Sequence, residues 1–342
     1  MTQTALPSDH PPVKKQKIGV LLLNLGTPDG YTYWPMRRYL SEFLSDKRVI
    51  DYPAWLWQPL LQGIILTTRP FRSGAAYKSI WNHEDGESPL LTLSRSQCEK
   101  LRATFKDETD VVFAWGMRYG NPSTQAGIEE LLDQGCTKIL LFALYPQYSA
   151  PTMATAYDKA FEILQKTTWQ PAVRTAPPWH DHPDYIALLA KSVREKLKEL
   201  DQPPEAIIAS FHGVPKRYLM QGDPYHCHCA KTGRLLREAL EWPEEQWHTT
   251  FQSRFGPEEW LQPYTDETIE HLAKSGVKRL AIISPAFISD CLETLEELAM
   301  EGEEEFLENG GEEYTYIPCL NDRDDHIVFL ESLIRRELSG WL

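Results

Sequence analysis

The chain has 342 residues, 42% of them hydrophobic, which is enough for a large core and two domains. A net charge of −14 with no block of Lys or Arg argues against nucleic acid as a partner. Six cysteines without a disulfide-like spacing point to a reducing compartment, the cytoplasm being the expected one.

Residues 1–16 are polar, with three prolines, and read as a loose tail with no signal-peptide pattern. Lys17 to Leu25 is a continuous apolar run, the mark of a strand covered on both faces in a parallel sheet. It ends in Asn24-Leu25-Gly26-Thr27-Pro28, where a doubly wound fold places ligand contacts. One glycine in place of G-x-G-x-x-G gives a dinucleotide site little support. A helical pattern follows over Arg37 to Leu44. Tyr52 to Leu66 then carries Trp55, Leu56, Trp57, Leu60, Leu61, Ile64 and Ile65, interrupted by Gln58, Pro59 and Gln62. It is shorter than the roughly 18 residues that span a bilayer. Two readings stay open: a core helix, or an apolar lip that touches a membrane surface or a greasy ligand. A further helix is expected near Ser94 to Phe105.

Two later regions share one design. Val111 to Tyr119 is a strand ending Arg118-Tyr119-Gly120, followed by a helix through Ile128 and Leu131, Gly135, basic Lys138 and a strand Ile139 to Leu144. Arg254-Phe255-Gly256 closes a strand in the second half, followed by a helix through Ile269 and Leu272, Gly276, basic Arg279 and a strand Leu280 to Ile283. Glycine at those points suits a left-handed helix stop. Two β-α-β units of one design predict two related α/β domains, each a mostly parallel four-stranded sheet flanked by helices. Ala172 to Ala176 is the fourth strand of the first sheet, Pro183 to Leu200 a crossing helix, and Ala206 to Ser210 the first strand of the second sheet. A strand Tyr314 to Ile317 and a helix His326 to Leu338 close the chain. The expected division is 17–180, with a lip at about 52–70, then 181–322 and a terminal helix within 323–342.

Chemistry concentrates in two stretches. Ser210-Phe211-His212-Gly213-Val214-Pro215 ends a strand, so His212 faces the crevice at the carboxyl end of its sheet. Imidazole is the natural group for moving protons at neutral pH, and it is also commonly just a hydrogen-bonded structural residue at a strand end. In Ser284 to Glu301, Glu293, Glu297 and Glu301 recur every four residues, which stacks them on one α-helical face, with Asp290 one turn earlier. Such a column suits a divalent cation or proton transfer. Asp290 with Glu293 also reads as an ordinary capping-box start. His226-Cys227-His228-Cys229 follows the turn Gly222-Asp223-Pro224-Tyr225. Four consecutive residues cannot all reach one ion, so reduced thiols are expected there. Arg69, Arg118, Tyr119, Tyr145 and Trp260 complete the crevice candidates, arginines suiting carboxylates and aromatic residues a flat ligand.

These motifs together resemble ferrochelatase, in its proteobacterial form acting on protoporphyrin IX. The resemblance runs from about Lys17 to Leu342. It rests on Leu23-Asn24-Leu25-Gly26-Thr27-Pro28, Met117-Arg118-Tyr119-Gly120, Leu144-Tyr145-Pro146-Gln147-Tyr148-Ser149 and Ser210 to Pro215. Gly222 to Tyr225, Thr250-Phe251-Gln252-Ser253-Arg254-Phe255-Gly256, Trp260 and Asp290-Cys291-Leu292-Glu293-Thr294-Leu295 complete it. It implies a porphyrin cleft between two Rossmann-like domains and insertion of Fe²⁺ into protoporphyrin IX. It further implies His212 and Glu293 as the catalytic pair, and His212, Glu293, Glu297 and Glu301 on the path of the metal. Arg69, Arg118, Tyr119, Tyr77, Tyr145 and Trp260 would lie near the porphyrin or the metal route, and the 52–66 segment would form a lip in peripheral contact with the inner face of a membrane. No cofactor beyond the Fe²⁺ substrate is implied. Members with a [2Fe–2S] cluster use a cysteine after the Tyr-Pro-Gln-Tyr-Ser motif, where this chain has Ala150, and a cysteine-bearing tail, where it ends Ser339-Gly340-Trp341-Leu342. Many members have histidine where this chain has Cys291. Two rival readings are a cobalt chelatase and a non-catalytic porphyrin or haem carrier.

Overall fold

The computed structural model describes residues 7, 9, 10, 13 and 15–342. The tail expected over residues 1–16 falls for the most part outside the described residues. Strand β1 (Lys17–Thr27) is buried on both faces from Ile18 to Asn24 because parallel neighbours flank it on either side. With β2 (Val111–Gly120), β3 (Cys136–Ala143) and β4 (Ala172–Thr175) it forms an all-parallel sheet of order β2-β1-β3-β4. Strands β5 (Ala206–His212), β6 (Trp247–Gln252), β7 (Arg279–Ile283) and β8 (Glu313–Ile317) form a second parallel sheet of order β6-β5-β7-β8. The two orders are the same with the first strand inside, so the repeated sequence design is a repeated topology. Gly135 and Gly276 both take a left-handed φ, of 87° and 99°, at the helix stops where the spacing put them.

The copies diverge at one strand end. Arg118 and Tyr119 lie within β2, whereas β6 stops at Gln252, so Arg254-Phe255-Gly256 belongs to a loop rather than a strand. Ser253 breaks the ladder by taking φ 65°. Helix ends also shift by a few residues from expectation. The first helix is Tyr33–Leu44, and the one expected near Ser94 to Phe105, observed at Pro89–Thr104, starts early because Ser88 caps it by accepting the Leu91 N–H. The crossing helix is Pro183–Leu197 and the terminal one Asp324–Glu337.

One apolar core joins the halves. It takes Leu22 and Phe142 from the first sheet, Ile207, Phe211 and Ile283 from the second, and Trp179, Tyr185 and Phe329 from the connecting segments. Polar stitches cross the same seam: Tyr185 OH donates to the Pro285 carbonyl at 2.7 Å, and Gln97 Nε2 to Ser289 Oγ at 2.8 Å and the Asn321 carbonyl at 2.9 Å.

The tryptophan-rich segment is helical over Ala54–Leu60, widens into a π turn at Leu61–Ile65 and continues as a helix over Leu66–Ile80. Leu61 and Leu66 pack inward with Met36 and Leu44. Trp55, at 79% exposure, and Leu56, Leu60, Ile64 and Phe71 face outward. The segment thus buries one face in the core and leaves an apolar row exposed on the other.

Glycine at the end of β1 is required by sterics. Gly26 has φ 115°, and an added Cβ would lie 1.8 Å from the Tyr119 carbonyl oxygen. Gly276 has a left-handed φ but open space around its Cβ position. Urea unfolding is expected to show Gly26→Ala costing about 3 kcal/mol or more, as backbone must move, against about 1–2 kcal/mol for Gly276→Ala. Equal costs would show that the Tyr119 contact gives way freely.

Candidate active site

Both sheets turn the carboxyl ends of their strands toward one cavity of about 290 Å³. Gly26 and Thr27 at the end of β1, Tyr145 after β3, His212 ending β5, Ser253 after β6 and Phe287 after β7 all line it. That is the crevice position of open α/β sheets, here formed twice and face to face.

His212 sits opposite Gln252 in the β5–β6 register. Its Nδ1 lies 2.6 Å from the Gly213 carbonyl oxygen. A carbonyl only accepts, so Nδ1 carries the hydrogen and Nε2 keeps its lone pair for the cleft. Trp260 and Phe287 flank the imidazole, each with ring centroids 6.5 Å away.

The acidic segment departs from expectation in its pitch. Glu293–Glu301 is π-helical, not α-helical. Thr294 Oγ1 accepts from the Cys291 N–H just before this stretch at 2.9 Å, and Tyr314 OH donates to the Leu298 carbonyl within it at 2.7 Å. Glu296 lies on the cleft wall with Glu293 and Glu297, as residues three and four apart share a helix face, while Glu301 lies off that wall near Glu296. Asp290 is neither a cap nor part of the column. Its buried carboxylate accepts from Tyr316 OH and Asn321 Nδ2, both at 2.6 Å, and from Thr294 Oγ1 at 3.1 Å, so it anchors the segment.

Glu297 is held from the opposite strand. Ser253 donates to it twice, from its N–H at 2.7 Å and its Oγ at 2.5 Å, and Gln252 Nε2 adds a third contact at 3.3 Å. Gln252 also donates to the Glu293 carbonyl at 2.8 Å and accepts from buried Ser210 Oγ at 2.8 Å. Burial raises the Glu297 carboxyl, against the pull of Ser253, His212 and Gln252. Burial, then the charges of Glu301, Glu297 and Glu293, raise Glu296 to about 7.

Tyr77, Arg69, Tyr145 and Trp260 all line the cavity. Arg69 has its guanidinium 5.7 Å from the Phe255 ring centroid, and burial lowers its pKa. Tyr145 keeps a buried hydroxyl with no hydrogen-bond partner. Arg118 and Tyr119 do not reach this wall. Arg118 is paired with Asp46 and bonded to Thr155, and the fully buried Tyr119 donates its hydroxyl to Asp46 at 2.7 Å. The His226 to Cys229 side chains diverge. His226 stacks on Phe251, Cys227 is exposed, His228 stacks on His180 at 3.7 Å, and Cys229 is buried. Sequence reasoning passed over Glu296, because it assumed a four-residue repeat. Gln252 and Ser253 carry no signal in the sequence beyond their place in a motif.

A family model described as Ferrochelatase matches residues 17–338. A protein named Ferrochelatase from Agrobacterium fabrum (strain C58 / ATCC 33970) is 60% identical over 339 residues, covering 99% of this chain and 98% of its own. Another of that name from Rhizobium meliloti (strain 1021) is 56% identical, covering 98% of this chain and 99% of its own. Among solved structures, SirB from Bacillus subtilis with Fe³⁺ superposes with a TM-score of 0.55 at 12% identity, covering 95% of this chain and 96% of its own, a likeness of fold alone.

The raised Glu296 carboxyl fixes the sign of a pH effect on the metal-free protein. Its folded value of about 7 exceeds the model-peptide value of 4.5. The folded state therefore holds this proton more tightly, and the resulting stabilisation is full below pH 4.5 and lost as pH rises through 7. Glu296→Gln should melt with wild type at pH 4.5 and progressively above it up to pH 8. A melting difference independent of pH would place the carboxyl at its ordinary value.

Proposed function

The chain belongs to the ferrochelatase family, and from that premise we propose how its cleft residues divide the work. The protein is a metal chelatase, a lyase that inserts Fe²⁺ into protoporphyrin to give haem. The reaction exchanges one dication for two pyrrole protons, so the site must take up protons and keep the macrocycle accessible to the ion.

His212 is the base. The observation that carries this assignment is the 2.6 Å contact of Nδ1 with the Gly213 carbonyl, an acceptor that commits Nδ1 as donor and leaves Nε2 to accept a pyrrole proton at the cleft wall. Glu293 is its partner, stabilising the imidazolium. Glu293, Glu297 and Glu301, joined by Glu296, form the path along which iron arrives or protons leave. Trp260, Tyr77 and Tyr145 hold the ring plane, and packing against these walls supplies the distortion that exposes the pyrrole lone pairs. Arg69 takes a propionate carboxylate at the mouth. Arg118 and Tyr119, tied to Asp46, shape the first domain behind the cleft. Protoporphyrin IX, rather than a more carboxylated ring, suits walls with this many aromatic residues. A carrier would need an axial ligand but no carboxylates beside it, so the acids on the wall favour insertion.

The residue ranges 17–180 and 181–322 are proposed as the two domains, each enclosing one sheet, with the terminal helix joining them through the shared core. Among the described residues no helix is long and apolar enough to cross a membrane. The outward row of Trp55, Leu56, Leu60 and Ile64 is proposed as a peripheral contact with a membrane surface.

His212→Ala is expected to lower metallation of protoporphyrin IX by Fe²⁺ or Zn²⁺ at least about 100-fold, as befits loss of a general base. Porphyrin binding, followed by tryptophan quenching, should persist. Retained turnover would remove His212 as the base. Trp55→Asp with Ile64→Asp should weaken sedimentation with phospholipid vesicles while leaving turnover of detergent-dispersed porphyrin near normal. Unchanged vesicle binding would end the membrane reading.

A further inference from the structure

Resting on the reading that Glu297 serves the reacting centre, we propose that Ser253 is a positioning residue that aims the Glu297 carboxylate. The same residue links that aim to the loop covering the mouth of the cleft.

The first observation is conformational. Only three non-glycine residues among those described have a left-handed φ: Glu241, Ser253 and Asn321. Glu241 ends a helix, and Asn321 is of a residue type that tolerates this region. Ser253 has neither reason. Glycine would adopt φ 65° without cost, so a serine there points to a use for its hydroxyl.

The second observation is what the conformation achieves. It directs the Ser253 N–H and Oγ at the two different oxygens of one carboxylate, at 2.7 Å and 2.5 Å. A two-point hold fixes the plane of the carboxylate as well as its distance. Gln252 extends the hold by donating to both Glu297 and the Glu293 carbonyl. Since Gln252 also pairs with His212 across β5 and β6, the base and the carboxylate are referenced to the same pair of strand ends.

The third is where the loop goes. Beyond Ser253 the chain is exposed from Arg254 to Glu259 and returns to the core at Trp260. Phe255, near its tip, packs on Trp260 with ring centroids 4.8 Å apart and lies beneath Arg69 of the opposite half. The loop therefore touches both walls of the mouth while its root holds Glu297. A ring entering between Arg69 and Phe255 must shift this loop, and Ser253 transmits the shift to the carboxylate.

Ser253→Gly in the full chain deletes the hydroxyl and keeps both the N–H and the backbone conformation. Steady-state kinetics with protoporphyrin IX and Zn²⁺ should show kcat/KM for the metal falling about tenfold. The KM for porphyrin should stay within about twofold and the melting temperature should hold or rise. Ser253→Asn, which tolerates the same φ and carries a donor, should recover most of the loss. In a Glu297→Ala background, Ser253→Gly should add nothing, since its target is gone. Wild-type kinetics for Ser253→Gly alongside a crippled Glu297→Ala would overturn the role given to Ser253 while leaving Glu297 in place. Full activity of Glu297→Ala would instead remove the reading on which the proposal rests. A loss spread over both KM values with a lowered melting temperature would make Ser253 a scaffold residue and overturn the proposal as well.

Discussion

The shared apolar core is the constraint on which the rest of the molecule depends. Leu22 and Phe142 from one sheet pack in the same cluster as Phe211 and Ile283 from the other, with Trp179, Tyr185 and Phe329 filling the seam. Because interiors are close-packed, this cluster sets the relative orientation of the sheets rather than merely gluing them. It is what brings the ends of β1, β3, β5 and β7 to one cavity. Two separate sheets would each offer half a crevice. Polar contacts that depend on the orientation, such as Gln97 on Ser289 and Tyr185 on Pro285, cross the seam close to the segment that begins the acidic stretch.

Much of the fold was legible because burial is written as composition. The unbroken run Ile18 to Leu23 has no polar face, and only a strand covered on both sides accommodates that. The repeated spacing from isoleucine to glycine to a basic residue encodes a helix stop and a strand entry, and backbone sterics make glycine the residue that fits such a stop. Strand ends were less legible. Arg118 and Arg254 occupy matching places in the two copies, yet one is inside a strand and the other in a loop. A single left-handed residue, Ser253, makes that difference, and its reason lies across the cleft in Glu297 rather than in its neighbours.

The site divides in the same way. His212 could be placed from its position at a strand end, since topology alone aims that residue at the crevice. The acids could be located but not arranged. An α-helix and a π-helix differ by which carbonyl each N–H finds, a choice that side-chain periodicity does not reveal. Glu296 is on the wall as the i+3 neighbour of Glu293, a position that a strict four-residue repeat leaves out. Asp290, in register with the others by count, is turned into a network with Tyr316 and Asn321.

Crowding several carboxylates in an apolar cleft is unfavourable unless their charge is answered. The protein answers it unequally. Asp290 is surrounded by donors and anchors the segment. Glu297 is gripped by Ser253 and Gln252 and lies near His212, which oppose the effect of burial on it. Glu296 has no such donors among the described residues, and burial with its acidic neighbours lets it keep a proton near neutrality. On the proposed reading, a dication entering this space meets one carboxylate already aimed and another ready to ionise in response, so repulsion among the acids becomes attraction for the ion. The same reasoning accounts for the imidazole's position. A base of the kind proposed for His212, where positive charge leaves as protons while positive charge arrives as metal, is best set at the edge of the acids, with one nitrogen fixed and the other free.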